Sequence, residues 1–337
     1  MTLRRNFIST TLLAFVAGAF TAPAVLAQTP PTIRVDGSST VFPIMEAVAE
    51  EFQKAQKGAV RMTVGISGTG GGFRKFCRGE TDIQNASRPI SRKEMEECRA
   101  NGVAYIEMPV AFDALSVAVN PKNTWMKQIT VDQLRTIWEP AAEKKITRWN
   151  QVDPSWPDAP IALFGAGTDS GTFDYFTEAI MGKSRASRTD FTASEDDNVL
   201  VQGVSRNLNA MGFFGFSYYW ENRKQLRAVP IVARGASKGV EPSPETVENG
   251  TYTPLSRPIF IYIAAKAAER KEIGEMVAFM TKNSERLVRD VKYVPLPARV
   301  YAANQQTFGK RILGTKFGGE NKVGLTIDEL MKLERVQ

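Results

Sequence analysis

Four short stretches of this 337-residue chain set hydroxyl side chains among small residues and glycines in a way that could hold an anion. They read Asp36-Gly37-Ser38-Ser39-Thr40, Ser67-Gly68-Thr69-Gly70-Gly71-Gly72, Asn85-Ala86-Ser87-Arg88 and Gly167-Thr168-Asp169-Ser170-Gly171-Thr172. Each closes a stretch that reads as a strand, and at least three open a stretch that reads as a helix. The first turn of a helix carries N–H groups with no intrahelical acceptor and the positive end of the peptide dipole, so such a turn is a seat for an oxyanion. Ser39, Thr40, Ser67, Ser170 and Thr172 add hydroxyls, and bonds to a charged acceptor are roughly twice as strong as neutral ones. Glycines such as Gly171 let a ligand approach the backbone. Arg88 is the one arginine among the four turns, and a guanidinium fork matches two oxygens of a tetrahedral anion. Taken singly, each Ser or Thr also reads as an ordinary N-cap.

The residue types exclude most catalysis. The chain has no histidine, which removes the usual general base and the usual serine triad. Asp169-Ser170-Gly171-Thr172 spells an aspartic-protease signature, but Asp36-Gly37-Ser38 is a poor second copy. The glycine-rich run at 65–75 does not fit Gly-x-x-x-x-Gly-Lys-Ser/Thr. A serine–lysine hydrolase using Ser170 or Ser67 is the enzymatic alternative, although the sequence places no base beside either serine. The expectation is therefore a site that holds an oxyanion without reacting with it, with no catalytic residue, no cofactor and no metal.

Composition bounds the partners and the compartment. The net charge of +7 comes without lysine/arginine runs or basic–aromatic interleaving, so nucleic acid is not expected as a partner. Residues 1–27 read as an export signal cleaved near Ala27: Arg4 and Arg5, an apolar run over 11–20, then Val25-Leu26-Ala27. The run is too short for a permanent membrane anchor. Arg4-Arg5-Asn6-Phe7-Ile8 leaves Tat export open beside Sec. Cys77 and Cys98 are the only cysteines, and in an exported chain such a pair reads as a disulfide. With no histidine they make a poor zinc set.

The elements that must position the four turns alternate. Strands are expected over 33–35, 60–66 and 81–84, with helices over 43–56 and 73–78. Ser91 with Glu94, and Thr130 with Gln133, form capping boxes for two further helices. Strands over 103–108 and 114–119 follow one another almost directly, breaking the β-α-β alternation near 108–116. A strand at 161–164 feeds the fourth turn, and a helix over 172–180 lies behind it. Ser194 with Asp197 is read as the cap of another helix, 213–219 as an aromatic strand, and 258–264 as an apolar strand with a helical stretch behind it. This is an α/β chain of two lobes, each a mostly parallel sheet flanked by helices. Lobe 1 is expected over 28–112 and 254–337 and lobe 2 over 113–253, with all four turns facing one cleft at the carboxyl ends of the strands.

At these motifs the chain resembles the phosphate-binding protein of bacterial Pst-type ABC importers, a periplasmic binding protein of the type II class. Val35-Asp36-Gly37-Ser38-Ser39-Thr40-Val41-Phe42-Pro43 and Gly65-Ile66-Ser67-Gly68-Thr69-Gly70-Gly71-Gly72-Phe73 are similar to its first two motifs. Ala86-Ser87-Arg88-Pro89-Ile90 and Gly167-Thr168-Asp169-Ser170-Gly171-Thr172-Phe173-Asp174-Tyr175-Phe176 look like the third and fourth, as in its cyanobacterial-type branch. The resemblance implies two lobes closing on inorganic phosphate, a monomer in the periplasm, and delivery to the permease subunits of an ABC importer. By motif, Thr40, Val41, Ser67 and Ser170-Gly171-Thr172 carry over as ligands. The residue reading adds Ser39, Arg88 and Asp169. Two departures stand out: Arg88 replaces an aspartate of the better-known branch, and Ala166 replaces an arginine. A carboxylate to accept the phosphate proton is sought among Asp36, Asp169 and Asp197, with Asp169 preferred. The same fold binding sulfate or molybdate is the alternative.

Overall fold

The computed structural model describes residues 30–325 and 327–335, and the export-signal reading of residues 1–27 lies outside the described residues. The chain starts β1 (Thr32–Gly37), α1 (Phe42–Ala55), β2 (Arg61–Val64), α2 (Gly68–Cys77), β3 (Ile83–Ala86), α3 (Arg92–Ala100) and β4 (Tyr105–Val119). It continues with β5 (Ile129–Thr130), α4 (Val131–Trp138), β6 (Ala162–Ala166), α5 (Gly171–Met181), β7 (Thr192–Ser194), α6 (Asp197–Arg206) and β8 (Ala210–Gly215). Then come α7 (Phe216–Glu221), β9 (Arg227–Ala228), β10 (Ile231–Val232) and α8 (Pro244–Glu248). The last part holds β11 (Ser256–Ala264), α9 (Ala265–Ala268), α10 (Lys271–Asp290), β12 (Val294–Pro295), α11 (Ala298–Gly309) and α12 (Ile327–Lys332).

The principal sheet runs β2-β1-β3-β11-β4-β8-β6-β7. Its two ends are parallel: β1 with β2 and β3, and β6 with β7 and β8. The seam between them is antiparallel, because β11 pairs with β3 and β4, and β4 pairs with β8. Strand β4 serves both lobes: residues 105–114 pair with β11, and residues 115–119 with β8. The strands expected over 103–108 and 114–119 are one continuous strand, so the β-α-β alternation is broken near 108–116 with no helix in between. Pro109 has no N–H to give the ladder, and the sheet absorbs it at a register shift between Ile259 and Phe260 opposite. Every residue of β4 is buried, which is the pattern of a strand covered on both faces.

Local chemistry explains the elements that carry the turns. Pro43 sits in the first turn of α1, where a missing N–H costs nothing, and Ile44, Met45, Val48, Ala49 and Phe52 form its buried stripe. Both capping boxes are present, Ser91 with Glu94 on α3 and Thr130 with Gln133 on α4. Cys77 and Cys98 form the disulfide that ties the end of α2 to α3.

Three elements differ from the sequence reading. Helix α2 starts at Gly68 rather than near residue 73, because its glycines serve close packing: a Cβ on Gly72 would stand 2.1 Å from Gln84 Oε1 and 2.6 Å from the Gly37 Cα. Helix α6 is capped by Asp196, whose carboxylate accepts the Asn198 N–H, rather than by Ser194 with Asp197. The aromatic run read as a strand over 213–219 turns into α7 at Phe216, where burial of Phe216 and Tyr218 overrides their strand preference.

Candidate functional site

The carboxyl end of β1 feeds the turn before α1, and the carboxyl end of β6 feeds the turn before α5. These turns come from opposite lobes and meet. The Thr40 and Thr172 hydroxyls stand 3.0 Å apart, and both residues are fully buried. Val41 occupies the N-cap position of α1. The hydrogen bonds around that turn leave the N–H groups of Thr40 and Val41 without an acceptor among the described residues. Ser170 caps α5 by accepting the Thr172 N–H at 3.1 Å. Tyr218 and Tyr293 donate to the carbonyls of Ser39 and Thr40 at 3.0 and 2.6 Å, which fixes the first turn from behind.

Arg257, at the start of β11, supplies the positive charge. Its side chain is fully buried, and Nη2 donates to Thr172 Oγ1 at 2.8 Å and reaches Thr40 Oγ1 at 3.4 Å. Nη1 donates to the Gly171 carbonyl at 3.1 Å. Asp113, on β4, accepts from Nη2 at 3.1 Å and Nε at 3.3 Å. Burial pushes the Asp113 carboxyl up to about 6 although Arg257 opposes it. Asp197, in the first turn of α6, accepts from Ser39 Oγ at 3.3 Å and from the Gly215 N–H at 3.2 Å. Burial, with nearby Asp113 adding to it, pushes the Asp197 carboxyl up to about 7 against those donors and Arg257. One guanidinium thus lies among two buried carboxyls, and the second of them changes its charge near neutral pH.

A second layer of hydroxyls flanks α5. Thr69 Oγ1 lies 3.1 Å from Ser87 Oγ and accepts the Ser87 N–H at 3.1 Å. A Cβ on Gly171 would stand 2.6 Å from Thr69 Oγ1 and 2.7 Å from Ser87 Oγ, so glycine at 171 is what allows the lobes to approach.

The other residues read from the sequence lie differently. Ser67 Oγ donates to Asp36 at 2.6 Å, and Lys75 holds the other oxygen of the same carboxylate rather than the serine. Asp169 sits at a half-open rim, where Arg74 grips both of its oxygens and holds its carboxyl below the usual range. The Arg88 guanidinium makes a two-point contact with Glu94 at 2.8 Å, while Nε donates to Asp174 at 2.6 Å. Burial opposes its charge, but Glu94 and then Asp174 hold its pKa well above the ordinary value. Sequence reasoning missed Arg257 and Asp113, and of the motifs it had quoted it carried neither Thr69 nor Ser87 forward as a ligand. Two carboxylates, Glu107 and Asp113, in the apolar run of 105–119 were the available signal, since a buried charge needs a partner.

The PBP superfamily domain matches residues 22–283. Protein SphX of Synechococcus elongatus is 50% identical over 334 residues, covering 99% of this chain and 98% of that protein. The phosphate-binding protein PstS of Staphylococcus saprophyticus is 36% identical over 276 residues, covering 81% and 83% respectively. A candidate phosphate ABC transporter substrate-binding protein of Clostridium perfringens, solved with phosphate bound, matches with a TM-score of 0.67 and 25% identity, over 79% of this chain and 100% of that one.

Proposed function

Because this chain belongs to the PBP superfamily, we propose that it is the substrate-binding protein of an ABC phosphate importer, which captures inorganic phosphate between two lobes and releases it unchanged. One observation carries this reading: hydroxyls from opposite lobes converge with a buried guanidinium at Thr40, Thr172 and Arg257. A guanidinium beside two hydroxyls that can turn their protons toward an incoming oxygen is a seat suited to a tetrahedral anion. The Thr40 and Val41 N–H groups at the mouth of α1 add donors aligned with the helix dipole.

In this assignment Thr40, Val41, Ser170, Gly171 and Thr172 surround the phosphate, and Arg257 is its counter-charge in place of Arg88. Ser39 holds Asp197, and Asp197 shares the phosphate proton. Asp36 and Asp169 are already engaged by Lys75 and Arg74, whereas among the described residues no cation is bonded to Asp197. Lobe 1 comprises residues 28–112 and 254–337, and lobe 2 residues 113–253. Residues 1–27 direct export to the periplasm, where the monomer meets its permease. Calorimetric titration of phosphate into protein stripped by unfolding, dialysis and refolding tests the reading. Saturable one-to-one binding is expected, and no heat of binding would reject it.

A further inference from the structure

We infer that Arg88 is an interlobe latch: it keeps a permanent partner in its own lobe and acquires Asp174 of the other lobe only when the cleft closes. Arg88 lies in the turn after β3, and Glu94 lies on α3 of the same lobe. Their two-point contact, Nη1 to Oε2 and Nη2 to Oε1 at 2.8 Å each, does not cross the cleft. The Nε bond to Asp174 on α5 does cross it, at 2.6 Å, and the three side chains are buried. Asp174 has a partner of its own lobe in Arg185, 3.6 Å from its other oxygen and half exposed.

The cluster is therefore two cations and two anions, and it divides at the cleft into two neutral pairs, Arg88 with Glu94 and Arg185 with Asp174. Separating the lobes strands no buried charge, because each pair persists in its own lobe. Closing them adds one charge-assisted bond in a place that excludes water. The arginine stem takes part as well: a Cβ on Gly171 would stand 3.0 Å from Arg88 Cγ, so Arg88 docks directly on the first turn of α5. With Glu94 and Asp174 already on its fork, the same guanidinium is a poor seat for phosphate, since both carboxylates would repel the anion.

This inference rests on the phosphate-binding reading, and the experiment separates the two. Asp174→Asn and the surface variant Arg185→Gln are compared with the wild type by stopped-flow binding of inorganic phosphate and by small-angle scattering without ligand. In D174N, phosphate release is expected to be about tenfold faster with association little changed, and the ligand-free radius of gyration larger. R185Q removes the open-state partner of Asp174, so it is expected to slow release and to leave the radius equal or smaller. Wild-type protein that fails to bind phosphate rejects the functional reading, while the scattering still reads the latch. A D174N protein that binds phosphate as tightly as the wild type or more tightly, or three identical radii of gyration, overturns the latch. Should D174N not fold, R185Q alone decides: faster or unchanged release contradicts the inference.

Discussion

Thr40 and Thr172 are separated by 132 positions in the chain, yet their hydroxyls lie 3.0 Å apart and Arg257 donates to Thr172 between the two lobes. Neither threonine is needed there as a helix cap, since Ser170 caps α5 and no side-chain bond caps α1. Valine matches threonine in shape but lacks the hydroxyl. Thr172→Val is expected to weaken phosphate binding about tenfold to a hundredfold, from roughly 1.5–3 kcal/mol for a hydrogen bond to a charged group. Calorimetry reads the loss directly, and an unchanged affinity would remove Thr172 from the site.

Gly171 makes a different demand. An added methyl would meet Thr69 and Ser87 of the opposite lobe, and those neighbours are absent when the lobes part. Gly171→Ala should therefore fold normally and resist closure. The expected result is a large loss of phosphate affinity with an unfolding temperature of the ligand-free protein close to wild type. Equal affinity would show that the lobes do not approach as described.

Asp197 sets a pH signature on stability. Its carboxyl is raised to about 7 by burial, from an unfolded value near 4. Between those pH values the folded protein holds a proton that the unfolded chain releases, so this group makes stability fall as pH rises from about 4 to 7 and level off above. Asp197→Asn abolishes that contribution. The unfolding temperature of D197N relative to wild type should climb across the window, and a constant difference in a thermal-shift series would contradict it.

The same carboxyl bears on selectivity. Hydrogen phosphate brings its own proton to an ionised Asp197, whereas sulfate has none and meets a bare negative charge. Below about pH 7 the protonated carboxyl can donate to either anion. Sulfate is thus expected to displace labelled phosphate better at pH 5.5 than at pH 8.5, and in D197N the pH dependence should shrink to that of phosphate's own second ionisation. Displacement that does not vary with pH in the wild type would exclude Asp197 from contact with the anion.

The disulfide ties the end of α2 to α3, and neither helix carries Thr40 or Thr172. Replacing both cysteines with alanine is expected to cost about 3 kcal/mol, or roughly 5–10 °C in unfolding temperature. Phosphate affinity should hardly change. A variant that loses binding while remaining folded would mean that the crosslink positions Ser87 and Arg88.

Local chemistry was legible in the sequence where it is local. Ser39-Thr40-Val41 and Ser170-Gly171-Thr172 announce themselves as hydroxyl and glycine turns between a strand and a helix, and two capping boxes and the cysteine pair follow from spacing alone. Arg257 and Asp113 did not announce themselves. They are 144 positions apart on neighbouring antiparallel strands, and only the sheet register makes one the partner of the other. Arg88 shows the converse. Its motif looked like an anion seat because Asp174, 86 positions away, is invisible in one dimension. In the glycine run, the choice between Ser67 and Thr69 turned on where α2 begins, and packing of Gly72 against Gln84 decides that.

A crystal structure determined with phosphate present tests the central claim most directly. Tetrahedral density is expected at the junction of the two lobes, within hydrogen-bonding distance of the Thr40 and Thr172 hydroxyls and the Arg257 guanidinium, with Arg88 still on Glu94 and Asp174. Phosphate held by Arg88 instead, or bound outside the contact between the two threonine turns, would contradict the account.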